Sequence, residues 1–193
     1  MVDREVQNAI KKQAPRVGKS ALKKEVNTKF KKIKKEMIQE FLSLPVTQEL
    51  LGGPDAPNIS GTLNGFTSLF AFIGFDAGDQ PIAPILNALE RTQLQYAKEL
   101  KESRRVGGKF IVTLPTAEQI FSMTPMPWAI GRSWAQGIET GISGLGFLLR
   151  KKGKGRSGAA LQSRVKVRGG RFKNTAYISS FIKKYEKRFR NLK

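Results

Sequence analysis

TPMPWAIGRSWAQGIETGISGLGFLL, residues 124–149, holds both tryptophans and five of the nineteen glycines of a 193-residue chain. Between Arg132 and Ile142 its residues alternate as a strand requires. Trp134, Gln136, Ile138, Thr140 and Ile142 would share one bulky face, and Ser133, Ala135, Gly137, Glu139 and Gly141 a small one. A small face admits another backbone at close range, and the four glycines from Gly137 to Gly146 weaken a helix. The alternation favours a strand. A helix is the alternative, because Trp134, Ile138, Ile142, Leu145 and Leu149 also recur at four- and three-residue spacing. A membrane span is set aside, since Arg132 and Glu139 would each cost about 3 kcal/mol near a bilayer centre.

Working toward the N-terminus, Pro115 opens a helical turn over TAEQIFSM. KFIVTL, 109–114, is a short strand entered through Gly107 and Gly108. Ile82–Ser103 is expected to be helical, in one or two pieces. Asp76 and Asp79 suit a turn better than a calcium loop, whose regular oxygen spacing is missing. FTSLFAFIGF, 66–75, is rich in aromatics and reads as a buried strand, preceded by a Gly/Pro/Asn-rich loop over 51–65. Ser20 is expected to cap a long helix running to Leu44, with Leu22, Val26, Phe30, Ile33, Met37 and Phe41 as one apolar stripe and lysines opposite. A shorter helix over 3–14 should end at Pro15. Gly18-Lys19-Ser20 is not a phosphate loop, because position 13 is Gln and a helix precedes it.

Toward the C-terminus the composition shifts to a basic loop, 150–174, in which Val165 and Val167 suit a hairpin strand. Asn174 or Thr175 is expected to cap a last helix with Tyr177, Ile178, Phe181, Ile182, Tyr185 and Phe189 on one face. The whole reads as α+β, a long N-terminal helix packed on a small antiparallel sheet with basic terminal extensions. Its expected divisions are a basic arm over 1–19, a core domain over 20–149, and a basic loop with a helix over 150–193.

The net charge of +20 is concentrated at the ends. Residues 1–44 carry 12 Lys/Arg against 5 Asp/Glu, residues 45–149 carry 7 against 9, and residues 150–193 carry 16 against 1. A near-neutral body with cationic extensions implies a polyanionic partner or an acidic protein surface. Contact candidates are Arg150, Lys151, Lys152, Lys154, Arg156, Arg164, Lys166, Arg168, Arg171 and Lys173. The chain has no cysteine and no histidine, which removes disulfides and serine–histidine, cysteine–histidine and zinc chemistries. Glu118 and Glu139 form no paired acid motif, so no catalytic site, metal or cofactor is expected, and Glu139 suits a strand carboxylate paired with an arginine. No apolar leader opens the sequence, so a cytoplasmic product is expected.

Ser60-Gly61-Thr62-Leu63 resembles the Thr/Ser-Gly-x-Leu that precedes a strand in minor tail and tail-completion proteins of tailed bacteriophages. Trp134-Ala135-Gln136-Gly137-Ile138-Glu139-Thr140-Gly141 is similar to their later strand, and the order of elements looks like theirs. The proline-rich tail that often follows the second motif is missing, and residues 76–107 look like an insertion. The resemblance implies a non-enzymatic virion protein, made in the host cytoplasm, that forms a homo-oligomeric ring at the neck or tail end. Its partners would be portal, neck or tail proteins and packaged DNA, with no membrane involved. In that family Ser60, Gly61 and Leu63 would set the sheet's entry, Trp134, Ile138 and Glu139 would belong to the sheet, and Gly137 and Gly141 would admit the covering helix. A ribosomal-type or other nucleic-acid-binding protein is the alternative. The near-neutral body, whose aromatics lie in apolar runs and not among Lys/Arg, speaks against it.

Overall fold

The computed structural model describes residues 4–65, 68–102, 105–142 and 172–191. The chain is α+β, with a long N-terminal helix, six shorter α-helices, one 3-10 turn and two small antiparallel sheets among the described residues.

Helix α1, Arg4–Ser43, spans 40 residues, about 60 Å at the α-helical rise. It runs through Pro15, where a break was expected, and through Ser20, which was expected to cap it. NAIKKQA before Pro15 and SALKKEV after it are strong helix formers, so helix resumes across one missing donor. The apolar stripe is as anticipated, with Val26, Phe30, Met37 and Phe41 buried. Its cover comes from α7, Ile178–Arg190, from α4, Ala83–Glu90, and from one sheet. Lys34 donates from Nζ to the carbonyls of Glu90 and Thr92 at 2.5 and 3.0 Å, satisfying orphan acceptors where α4 ends.

That sheet is a hairpin of β1, Gln93–Glu102, and β2, Arg105–Thr113, with register Gln93 to Thr113 and a bulge between Tyr96 and Lys98. The strand over 109–114 is therefore present, but the helix expected over 82–103 stops at Glu90 and gives way to β1. Gln93-Leu94-Gln95-Tyr96 alternates polar and apolar as a strand does, and Tyr96 meets Phe110 edge to face at 5.3 Å. Lys23 of α1 lies over the Tyr96 ring at 4.0 Å, tying hairpin to helix.

The buried strand expected over 66–75 is instead a short helix, α3, Leu69–Ile73, with Leu69, Phe70, Ala71 and Ile73 buried. A continuous apolar run has no period that separates a buried strand from a buried helix. Asp76 and Asp79 close a turn, the Asp76 N–H donating to the Asp79 carboxylate at 2.8 Å. Helix α2, Pro45–Leu51, packs against α3, and α5, Ala117–Ser122, begins with the capping box Thr116-x-x-Gln119.

The largest departure is in residues 132–142. Residues 125–126 and 129–133 pair as a small hairpin, β3 and β4, and Trp134–Thr140 is a helix, α6. Ser133 Oγ accepts from the Gln136 N–H at 3.1 Å, capping the helix. Trp134, Ala135, Gly137 and Ile138 are buried on α6 while Gln136 and Thr140 are exposed. Alternation had placed Gln136 and Thr140 beside Trp134.

The core is threaded by aromatic contacts. Phe70 meets Phe75, Phe75 meets Trp134, Trp134 meets Tyr177, and Tyr177 meets Phe41, at centroid separations of 5.2, 5.9, 6.3 and 6.3 Å. Helix α7 runs antiparallel to α1, Phe181 on Phe41 and Phe189 on Phe30. All six apolar positions expected on its inner face are buried. Val165, Val167 and the loop they belong to lie outside the described residues.

Candidate assembly site

Neither of the two sequence motifs enters a sheet as the resemblance implied. Both are held by one irregular segment, 172–177. The Lys173 N–H donates to the Thr62 carbonyl at 2.8 Å, and the Thr175 N–H to the Ile138 carbonyl at 3.1 Å. Motifs more than seventy residues apart thus share a single splint that leads directly into α7.

The first motif is built around Glu49 of α2, 1% exposed. Its carboxylate oxygens accept from the Leu69 N–H at 2.8 Å, Ser60 Oγ at 2.6 Å, the Ser60 N–H at 3.2 Å and Asn58 Nδ2 at 2.8 and 3.1 Å. Asn58 in turn accepts, at Oδ1, from the N–H groups of Leu63 and Gly65 at 3.0 and 3.1 Å. A buried carboxylate is tolerable only when hydrogen-bonded, and here every bond goes to the loop or to the start of α3. Ser60 is one spoke of this hub and Thr62 a second, its hydroxyl 2.8 Å from Ser60 Oγ. Leu63 is buried in the core beneath, and Gly61 is exposed in the turn with φ +66°. Glu49 and Asn58, the centres of the hub, were missed by sequence reasoning. An isolated glutamate in an amphipathic turn carries no pattern that marks it as inward.

The second motif anchors the C-terminal helix. Glu139 was expected to be a strand carboxylate paired with an arginine. It lies on α6 and accepts from the Ser179 N–H at 2.7 Å and Ser179 Oγ at 2.6 Å. Ser179 is in the first turn of α7, so Glu139 performs the capping expected of Asn174 or Thr175, and its charge suits the positive helix end. The N-cap residue itself is Tyr177, whose side chain makes no cap bond. It is buried, and its hydroxyl meets Thr47 Oγ1 at 2.9 Å. Burial drives the Tyr177 phenol far above its usual range, so it remains a neutral hydrogen-bonding group.

Gly137 marks a close approach, though not to the covering helix expected, whereas at Gly141 it is the backbone conformation that favours glycine. A Cβ on Gly137 would lie 3.0 Å from both Ile142 Cγ1 and Met126 Cε. At Gly141 φ is +105°, and a Cβ would come 3.4 Å from Asn174 Oδ1 on the splint. Gly137→Val is expected to cost about 1–3 kcal/mol by overpacking. Gly141→Val is expected to cost a similar, roughly 1–3 kcal/mol, amount through backbone strain. Thermal melts check both, and wild-type melting of the two variants would refute the packing described.

The α1–α7 seam is polar at its edge. Glu40 accepts from Lys184 at 2.7 Å and from the Tyr185 hydroxyl at 2.8 Å, and Glu36 pairs with Arg188. Burial pushes the Glu40 carboxyl up. Hydrogen bonds from Lys184 and Tyr185, with the charges of Lys184 and Arg188, outweigh it and hold the group below its ordinary 4.5. Burial, followed by the Glu40 hydrogen bond and charge, pushes the Tyr185 phenol up to about 12. A carboxyl depressed in the folded state contributes stability that is present above 4.5 and lost as pH falls through the lower folded value. The acid arm of a stability–pH curve should therefore flatten below pH 4.5 in Glu40→Gln, and an unchanged arm would show that the pair contributes nothing.

No protein-family model, curated protein or solved structure matches this chain. Among the described residues no group of three or more His, Cys, Asp or Glu could hold a metal ion, and no helix is long and apolar enough to cross a membrane. The acids Glu36, Glu40, Glu49 and Glu139 are engaged in joining elements to one another. Of the basic contact candidates only Lys173 lies among the described residues, exposed on the splint. Arg150, Lys151, Lys152, Lys154, Arg156, Arg164, Lys166, Arg168 and Arg171 lie outside them.

Proposed function

We propose that this chain is a non-enzymatic structural subunit of a tailed-phage virion, part of the neck or tail-completion ring between head and tail. The observation that carries the reading is the splint. The two motifs that resemble the phage family, Ser60–Leu63 and Trp134–Gly141, are the two that residues 172–177 hold together. They act as the internal frame of the subunit. The engagement of Glu36, Glu40, Glu49 and Glu139 in internal joints fits an assembly role better than a reaction.

The test is direct. Mass spectrometry of purified particles should find the chain at a few to a few tens of copies, and light scattering of the purified protein with its neck partners should give a closed oligomer. Absence from particles, together with co-sedimentation on ribosomes, would overturn the reading in favour of the nucleic-acid-binding alternative.

A further inference from the structure

The acids on the outer side of α1 and α7 are largely consumed by pairing, and the cations are left over. Between positions 20 and 43, α1 carries seven lysines and three glutamates, and α7 carries five Lys/Arg and one glutamate. Glu25 is paired with Lys29, Glu36 with Arg188 and Glu40 with Lys184. Lys24, Lys31, Lys32 and Lys35 of α1, with Lys183 and Lys187 of α7, are exposed and pair with no acid among the described residues. The helices lie side by side and antiparallel, so these six cations stand on two adjacent rods whose axes are about 8–10 Å apart. Along α1, Lys24 to Lys31 is about 10 Å and Lys31 to Lys35 about 6 Å.

We propose that the outer face of the α1–α7 pair binds the phosphate backbone of duplex DNA without reading its sequence. Three features select this partner. Duplex DNA presents one charge per roughly 1.7 Å of axis, so a pair of rods bearing cations at 6–10 Å intervals always finds phosphates within reach. These six groups are lysine ammoniums, compact point charges that neutralise phosphate without the bidentate fork that reads guanine edges, and the exposed Arg190 adds one further cation in the last turn of α7. The aromatic residues of both helices, Phe30, Phe41, Phe181, Tyr185 and Phe189, are buried, so the face offers no stacking platform for single strands. The inference stands apart from the virion reading, since it concerns what this surface holds and not where the protein resides.

The test is fluorescence anisotropy of the full-length protein with a random-sequence 30-base-pair duplex, across a salt series. Affinity should fall linearly on a log–log plot, and K32E/K35E/K183E/K187E should weaken binding on the order of 100-fold at 0.1 M salt. Its salt slope should be shallower by about 3–4, since each phosphate that a lysine no longer neutralises removes about 0.9 from the slope. K32Q/K35Q/K183Q/K187Q, which removes charge without adding repulsion, should show the same change of slope if the reversed variant fails to fold. The 30-nucleotide single strand should bind more weakly than the duplex. K151Q/K152Q/K154Q should leave most of the duplex affinity in place. The proposal is overturned if the helix variants bind like wild type, if the 151–154 variant alone abolishes binding, or if polyglutamate competes better than duplex.

Discussion

Glu49→Ala is expected to lower the melting temperature by about 12 °C. The substitution leaves the Leu69 N–H, Asn58 Nδ2 and the Ser60 donors without their acceptor. A buried donor left unsatisfied costs about 1–3 kcal/mol. Ser60 and Asn58 are half-buried and recover part of the loss through water, which puts the net cost on the order of 4 kcal/mol. For a chain of this length each kcal/mol moves the midpoint by roughly 2–4 °C. Glu49→Gln keeps the volume and one acceptor, so it should fall between the two. Asn58→Ala should be strongly non-additive with Glu49→Ala, because both remove parts of one network. Calorimetry or circular dichroism melts measure all three. A Glu49→Ala midpoint within 2 °C of wild type would mean that the hub does not hold the 58–65 loop to α2.

Trp134→Ala is the second large effect, expected to cost about 3–5 kcal/mol as a buried large-to-small change. Trp134 is 2% exposed and touches Phe75 on one side and Tyr177 on the other. Its removal opens a void where α3, α6 and the splint meet. Gln136→Ala is the matched control. In a strand Gln136 would share the face of Trp134, but on α6 it is exposed, so its replacement should change stability by less than about 0.5 kcal/mol. A large loss at Gln136 would favour the strand reading of this segment over the helix.

The elements legible in sequence are those with a long, repeated period, whereas the caps expected at Ser20 and at Asn174 or Thr175 did not form. The stripe from Val26 to Phe41 and the inner face of α7 extend over three or more turns, so the 3.6-residue period is unambiguous. Thr116 to Gln119 is a capping box, and KFIVTL is β-rich with glycines before it. The same chemistry was present at α6, where Ser133-Trp134-Ala135-Gln136 has the S-x-x-Q form of a capping box. A seven-residue window beside two glycines let a two-residue period fit as well, and the cap was the better guide.

The sequence by itself determined the amphipathic helices at both ends, the absence of histidine and cysteine chemistry, and the concentration of positive charge in the terminal regions. Tertiary structure alone decided that Glu49 turns inward, that Glu139 caps α7 from across the core, and that Leu69–Ile73 folds as helix. The reason is range. Periodicity and capping act within a turn or two of chain, whereas Glu49 meets Leu69 from 20 residues away and Glu139 meets Ser179 from 40. Such partners exist only once packing has brought distant backbone donors to them.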